Sequence, residues 1–197
     1  MGSGASRVLT MDLHANQIQG FFDIPVDNLF AGPTFVQHIK KNIKSKNLVC
    51  VAPDVGGVER TRAIGKRLSA DLAIIDKRRS GPGKSEVMNV IGNVKNKICV
   101  IIDDLVDSGG TIVNAAAALK SKGAKDVYAY VVHGVLTGEA VKKINTSKIK
   151  KFIISDSIMN VKKIKKSAKF QTISVGTLFA EAIKRISISK SVSKLFK

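Results

Sequence analysis

The stretch Cys99-Val-Ile-Ile-Asp-Asp-Leu-Val-Asp-Ser-Gly-Gly-Thr-Ile-Val-Asn-Ala-Ala-Ala-Ala-Leu119 decides the fold of this chain. Val100 to Ile102 form a continuous β-branched run, the pattern of a strand covered on both faces. Asp103 and Asp104 are expected where that strand ends. Gly109 and Gly110 let the backbone turn tightly and approach a ligand closely. Thr111 and the alanines after it then open a helix, whose unpaired N–H groups and positive dipole end suit an anion. Together they offer a phosphate cradle beside a carboxylate pair that can hold sugar hydroxyls or a divalent cation. A phosphorylated sugar fits that description. An acidic turn capping a helix at Ser108 is the plain alternative; three acids between Asp103 and Asp107, ahead of two glycines and a threonine, argue against it.

On either side of this stretch, strand and helix patterns alternate. Strands are expected near 7–12, 47–52, 72–76, 98–103, 126–132, 151–155 and 170–174, and helices near 34–44, 56–69, 109–121, 136–144 and 176–188. Such alternation predicts an α/β fold, a mostly parallel sheet with helices on both faces. Lys77-Arg-Arg-Ser-Gly-Pro-Gly-Lys84 follows a strand directly, and its two glycines and proline predict a loop. Cys50 and Cys99 each fall in an expected core strand and read as buried thiols rather than a disulfide.

Composition sets the outer limits. The chain has 197 residues, enough for one well-buried α/β domain with some chain left over, and 44% of them are hydrophobic. No apolar run approaches the roughly 20 residues that cross a bilayer, and no signal-peptide pattern opens the chain, so a soluble cytoplasmic protein with no membrane partner is expected. The net charge is +18, of which +13 lies between Lys142 and the end. Aromatic residues make up only 5%, lysine outnumbers arginine 26 to 7, and no nucleic-acid-binding signature accompanies the charge. Clusters such as Lys162-Lys163-Ile164-Lys165-Lys166 therefore read as solvated faces around an apolar stripe, and nucleic acid is not the expected partner.

The acidic loop resembles the one with which phosphoribosyltransferase-like folds grip a ribose 5-phosphate group. Three further segments narrow the resemblance to the ribose-phosphate pyrophosphokinase family: Asp12-Leu-His-Ala-Asn-Gln-Ile-Gln-Gly-Phe-Phe22, Ala52-Pro-Asp-Val-Gly-Gly57 and Ile75-Asp-Lys-Arg-Arg79. It continues through Tyr130-Val-Val-His-Gly134 and Gly176-Thr-Leu-Phe-Ala-Glu-Ala-Ile183, so it covers nearly the whole chain. The resemblance implies transfer of pyrophosphate from Mg-ATP to the 1-hydroxyl of ribose 5-phosphate, giving 5-phosphoribosyl 1-pyrophosphate and AMP. It implies that Asp103 and Asp104 hold the ribose 2- and 3-hydroxyls, directly or through a metal, and that Asp107, Ser108, Gly109, Gly110 and Thr111 enclose the 5-phosphate. Lys77 and Arg79 become the catalytic cations, Arg79 also binding substrate, and Asp54 with His14 the ligands of Mg2+. Gly56 and Gly57 would lie at the ATP phosphates, whereas Arg60 and Arg62 have surface or oligomer contacts as their plain reading. His38 and His133 read as structural.

The same resemblance implies a division of the chain. Residues 1–32 look like a remnant of an N-terminal lobe, 33–181 like the phosphoribosyltransferase-like C-terminal lobe, and 182–197 like a segment returning to the N-terminal lobe. Phe21, Phe22, Leu29 and Phe30 would then lack part of their cover. A homo-oligomer or a complementing full-length subunit is the expected partner beside ATP and ribose 5-phosphate. A truncated, non-catalytic homologue that binds ribose 5-phosphate and regulates or complements a complete enzyme is the alternative. A phosphoribosyltransferase would share the phosphate loop but leaves the Asp-Leu-His and Lys-Arg-Arg segments unexplained.

Overall fold

In the computed structural model, which describes residues 2, 4–78 and 87–196, strands and helices alternate as the pattern predicts. Two short strands, β1 (Val8–Met11) and β2 (Val26–Leu29), pair in parallel and precede helix α1 (Gly32–Asn42). There follow β3 (Leu48–Ala52), α2 (Val58–Leu68), β4 (Asp71–Arg78), β5 (Val87–Ile91) and β6 (Ile98–Val106). The chain continues through α3 (Gly110–Ser121), β7 (Asp126–Gly134), α4 (Ala140–Thr146), β8 (Lys151–Ser155), α5 (Val161–Ile164), β9 (Phe170–Ile173) and α6 (Gly176–Ser187).

Seven strands form the main sheet in the order β5-β4-β3-β6-β7-β8-β9. Every pairing is parallel except that of β4 with the edge strand β5. The period-two alternation of side chains sorts the central strands between two buried clusters. Val49, Val51, Cys99, Ile101, Val127 and Ala129 face one side, where α3 covers them with Ile112, Ala115, Ala116 and Leu119. Cys50, Val100, Ile102, Tyr130 and Ile153 face the other, beneath Phe35 and Ile39 of α1, Ile64 of α2 and Ala182 of α6. Each fully buried Val, Ile or Leu is worth roughly 1.5–3 kcal/mol of transfer free energy, so both layers are needed to hold the sheet. Both cysteines are free and buried, and burial pushes the Cys50 thiol up to about 12 and that of Cys99 to about 11.

Several elements depart from the sequence expectation. The short strands β2 and β5 and the single-turn helix α5 were not anticipated in the segments that form them. Gly92, just after β5, shows how closely that strand is held: its φ is +113°, and a Cβ there would stand 2.9 Å from the Leu72 carbonyl. Helix α4 starts at Ala140 rather than near 136, because Leu136 (φ 54°) and Gly138 (φ 49°) both adopt left-handed backbone that no α-helix contains. Strand β6 continues to Val106, so the aspartate pair lies within the strand rather than at its end. Leu29 is fully buried, contrary to the expectation that it lacks cover, because β1 and β2 share the α1-side cluster. Phe21 is 87% exposed, and Phe22 and Phe30 are partly so; Phe30 meets Phe196 edge-on at 5.5 Å. Among the described residues no helix is long and apolar enough to cross a membrane.

Candidate active site

The strand order reverses between β3 and β6. After β3 the chain extends the sheet through β4 on one side, then returns to place β6 on the other. Helices leaving the two strands lie on opposite faces, which opens a crevice at the carboxyl ends, the usual ligand position in open α/β sheets. A cleft of about 210 Å³ occupies this place, lined by Asp54 beyond β3, by the run from Asp103 to Ile112, and by His14.

The loop from Asp107 to Thr111 forms one wall. Gly109 takes φ +77°, a left-handed conformation that glycine adopts without strain, and it is the residue before the first turn of α3. Its backbone also packs on α4, where a Cβ would meet Ile144 at 3.5 Å. No side chain caps α3 and no acid occupies its first turn, so Ser108 is not the cap and the helix presents bare N–H groups to the cleft. Asp107 is braced from α4's side: Thr137 donates its hydroxyl to Oδ1 at 2.6 Å and its amide to the Asp107 carbonyl at 3.1 Å. Lys77 reaches across from the end of β4 and donates its ammonium to the Thr111 hydroxyl at 3.2 Å. A cation thus stands at the helix terminus.

The two central carboxylates have different surroundings. Asp103 accepts the Asp104 amide at 2.9 Å on Oδ1 and has no cationic partner among the described residues. Burial, then the adjacent Asp104 and Asp54 carboxylates, pushes its pKa up to about 8. Asp104 is the more buried of the two, 5% exposed where Asp103 is half-buried, but Arg60 Nη2 donates to its Oδ2 at 3.2 Å and the His14 Nδ1–H at 3.0 Å. Burial opposes ionisation there, and the guanidinium and imidazole together outweigh it, holding Asp104 below the ordinary carboxylate range. Arg60 Nε also donates to Asp12 Oδ1 at 3.2 Å, and the second oxygen of Asp12 accepts the Ala31 amide at 2.7 Å.

Asp54 lines the cleft with its Oδ1 accepting the Gly57 amide at 3.0 Å. No three His, Cys, Asp or Glu side chains converge into a metal cage among the described residues. Magnesium does not need one, since it takes one or two carboxylates with phosphate oxygens and retains several waters. The mutual repulsion of Asp54 and Asp103 across the cleft is the electrostatic setting that a divalent cation relieves, so the donor set fits Mg2+. A second hollow of about 300 Å³ adjoins the cleft, sharing His14 and extending past Arg60 and Gly56 to Phe30.

The structure therefore brings together Lys77, Asp54, His14, Asp103, Asp104 and the Asp107–Thr111 loop. Arg79 and Lys84 lie outside the described residues. His38 bonds the Tyr130 hydroxyl at 2.9 Å, and His133 Nε2 donates to the Met11 carbonyl at 3.0 Å. Arg60 is not the surface residue its plain reading gave, and Asp12, Arg60 and Thr137 are the three site residues that sequence reasoning missed. Their partners lie 30 to 48 positions away, where no local pattern reaches.

Residues 78–197 match the family model described as the phosphoribosyl synthetase-associated domain. The chain belongs to the ribose-phosphate pyrophosphokinase family. The ribose-phosphate pyrophosphokinase of Bradyrhizobium diazoefficiens is 53% identical over 194 residues, covering 98% of this chain and 61% of the relative. That of Brucella melitensis is 55% identical over 194 residues, covering 98% of this chain and 63% of the relative. The crystal structure of phosphoribosylpyrophosphate synthetase from Mycobacterium smegmatis shares the fold with a TM-score of 0.87 at 33% identity, over 95% of this chain and 61% of that one. The chain thus spans about three fifths of the length of the ribose-phosphate pyrophosphokinases it matches. The family model takes in the aspartate pair and the glycine loop; His14 and Asp54 lie in the stretch that only the longer alignments cover.

Proposed function

We propose that this chain transfers the β,γ-pyrophosphoryl group of Mg-ATP to the 1-hydroxyl of ribose 5-phosphate, releasing AMP and 5-phosphoribosyl 1-pyrophosphate. The supporting observation is the cleft at the β3/β6 reversal, where an uncapped helix terminus, a lysine and a buried carboxylate converge. The 5-phosphate is assigned to the bare amides of α3 and the hydroxyls of Ser108 and Thr111, and the sugar diol to Asp103 beside Asp104. A protonated or metal-neutralised Asp103 suits a neutral diol better than a second free negative charge would.

In the reaction O1 of the sugar forms a bond to the β-phosphorus, the bond from that phosphorus to the α–β bridging oxygen breaks, and AMP departs with that oxygen. The hydroxyl proton leaves to solvent. Negative charge accumulates on the triphosphate, and Lys77 at the helix terminus, with Arg79 after it, stabilises that charge. Positioning supplies much of the remaining rate, and no covalent enzyme intermediate is required. Asp54, with His14 lining the same cleft, is assigned to hold Mg2+, which when bound neutralises phosphate charge. The Pro53–Gly57 turn, between the cleft and the second hollow, is assigned the ATP phosphates. Exposed Phe21 and Phe22 suit contact with a second subunit.

The test is incubation with ribose 5-phosphate and Mg-ATP, following AMP, together with calorimetric titration of ribose 5-phosphate. AMP release that depends on the sugar phosphate is the expected result. Binding without release favours the non-catalytic homologue, and absence of both overturns the proposal.

A further inference from the structure

Arg60 lies in the first turn of α2, and its side chain is 22% exposed. Its guanidinium meets two carboxylates on different elements: Nε donates to Asp12 at 3.2 Å, and Nη2 to Asp104 at 3.2 Å. Asp12 follows β1 in left-handed backbone (φ 42°), and its other oxygen accepts the Ala31 amide at the entrance to α1. The oxygen of Asp104 that Arg60 holds is also the one that receives the His14 ring. One planar fork therefore joins the end of β1, the start of α1, helix α2 and strand β6. Two buried carboxylates thereby share one charged donor.

We propose that Arg60 is the positioning residue of this cleft: its fork fixes the Asp104 carboxylate, and through it the His14 ring, and leaves Asp103 as the carboxylate that faces the sugar diol. The substrate in this statement rests on the ribose 5-phosphate reading; the arrangement itself is a property of the free protein. Arg60 touches no ligand in this role. Without it, the Asp104 carboxylate, which already interacts with that of Asp103, loses its guanidinium partner and leaves uncompensated negative charge where an anionic sugar phosphate must enter. A lysine keeps the charge but is a single point donor and cannot bridge both carboxylates in a fixed geometry.

The chain contains three histidines, so their imidazole nitrogens are resolvable by 15N NMR of the full protein. In Arg60→Met the Nδ1 signal of His14 is expected to lose its hydrogen-bonded shift, while His38 and His133, bonded to Tyr130, Ser157 and Met11, keep theirs. A general loss of structure would move all three. The Kd for ribose 5-phosphate is expected to rise about 100-fold in Arg60→Met and at least about tenfold in Arg60→Lys, the range for losing charge-assisted hydrogen bonds. Should Arg60→Met fail to fold, Asp12→Asn removes one arm of the fork and is expected to shift His14 in the same direction by less. An unmoved His14 signal in a folded variant, or full wild-type affinity in Arg60→Lys, overturns the proposal. If the wild-type protein binds no ribose 5-phosphate, the substrate reading fails and the His14 signal alone decides the role of Arg60.

Discussion

The two walls of the cleft are built on opposite principles. On the Asp104 side each carboxylate has a charged donor: Arg60 serves Asp12 and Asp104, and His14 adds a second donor to the latter. On the Asp103 side, burial and neighbouring carboxylates raise the group, and the helix terminus opposite it lacks a cap. A satisfied network is rigid and has little left to offer a ligand, whereas an unsatisfied one is poised to gain from binding. The contrast divides the pair into a carboxylate that belongs to the protein and one that belongs to its ligand.

The largest effect is expected at Asp103. Asp103→Ala should weaken ribose 5-phosphate binding by about 100-fold in a calorimetric titration, the scale of losing two hydrogen bonds to the sugar diol; unchanged affinity would remove Asp103 from the site. Lys77→Ala should lower the AMP release rate by a similar factor, with the Kd for ribose 5-phosphate moving far less, because its charge is needed as the triphosphate breaks. An undiminished rate in an active preparation takes Lys77 out of the mechanism.

Stability without ligand tests the same division through pH. The pKa of Asp103 is raised in the folded state to about 8, so its contribution is fully present below its unfolded value near 3.8 and is lost as pH rises through about 8. Asp103→Asn removes that loss, so urea unfolding of the variant should show a flatter dependence between about pH 5 and 9 than the parent. Parallel curves would mean that Asp103 ionises normally. Gly109→Ala places a Cβ in left-handed backbone at a cost of about 1–2 kcal/mol, which should lower Tm by a few degrees. Phe21→Ser is at the small end: on a side chain so exposed it should alter the monomer's stability by less than about 0.5 kcal/mol in the same urea assay.

What the sequence revealed follows from the range of each signal. The central strands were legible because Val49–Ala52 and Cys99–Ile102 are apolar on both faces, and α3 because its glycines and alanines sit side by side. β5 was missed: its five residues acquire strand character by pairing antiparallel with β4. The boundary of α4 was displaced because left-handed backbone at Leu136, a β-compatible apolar residue, has no mark in composition. At the site, Asp54, Asp103 and the glycine loop stood out through local motifs. The partnership of Arg60 with Asp12 and Asp104 joins residues 44 and 48 positions apart and exists only once α2 is laid against β1 and β6.

The cleft's floor is made from the ends of β3 and β6, two inner strands of the sheet whose cores on both sides are closed. Amide protons there should be among the slowest in the molecule to exchange with deuterium, while those of β1, β2 and the last turn before the C-terminus should exchange early. Thermal breathing then rearranges the rim long before it reaches the base, so the recess outlasts partial opening of its surroundings.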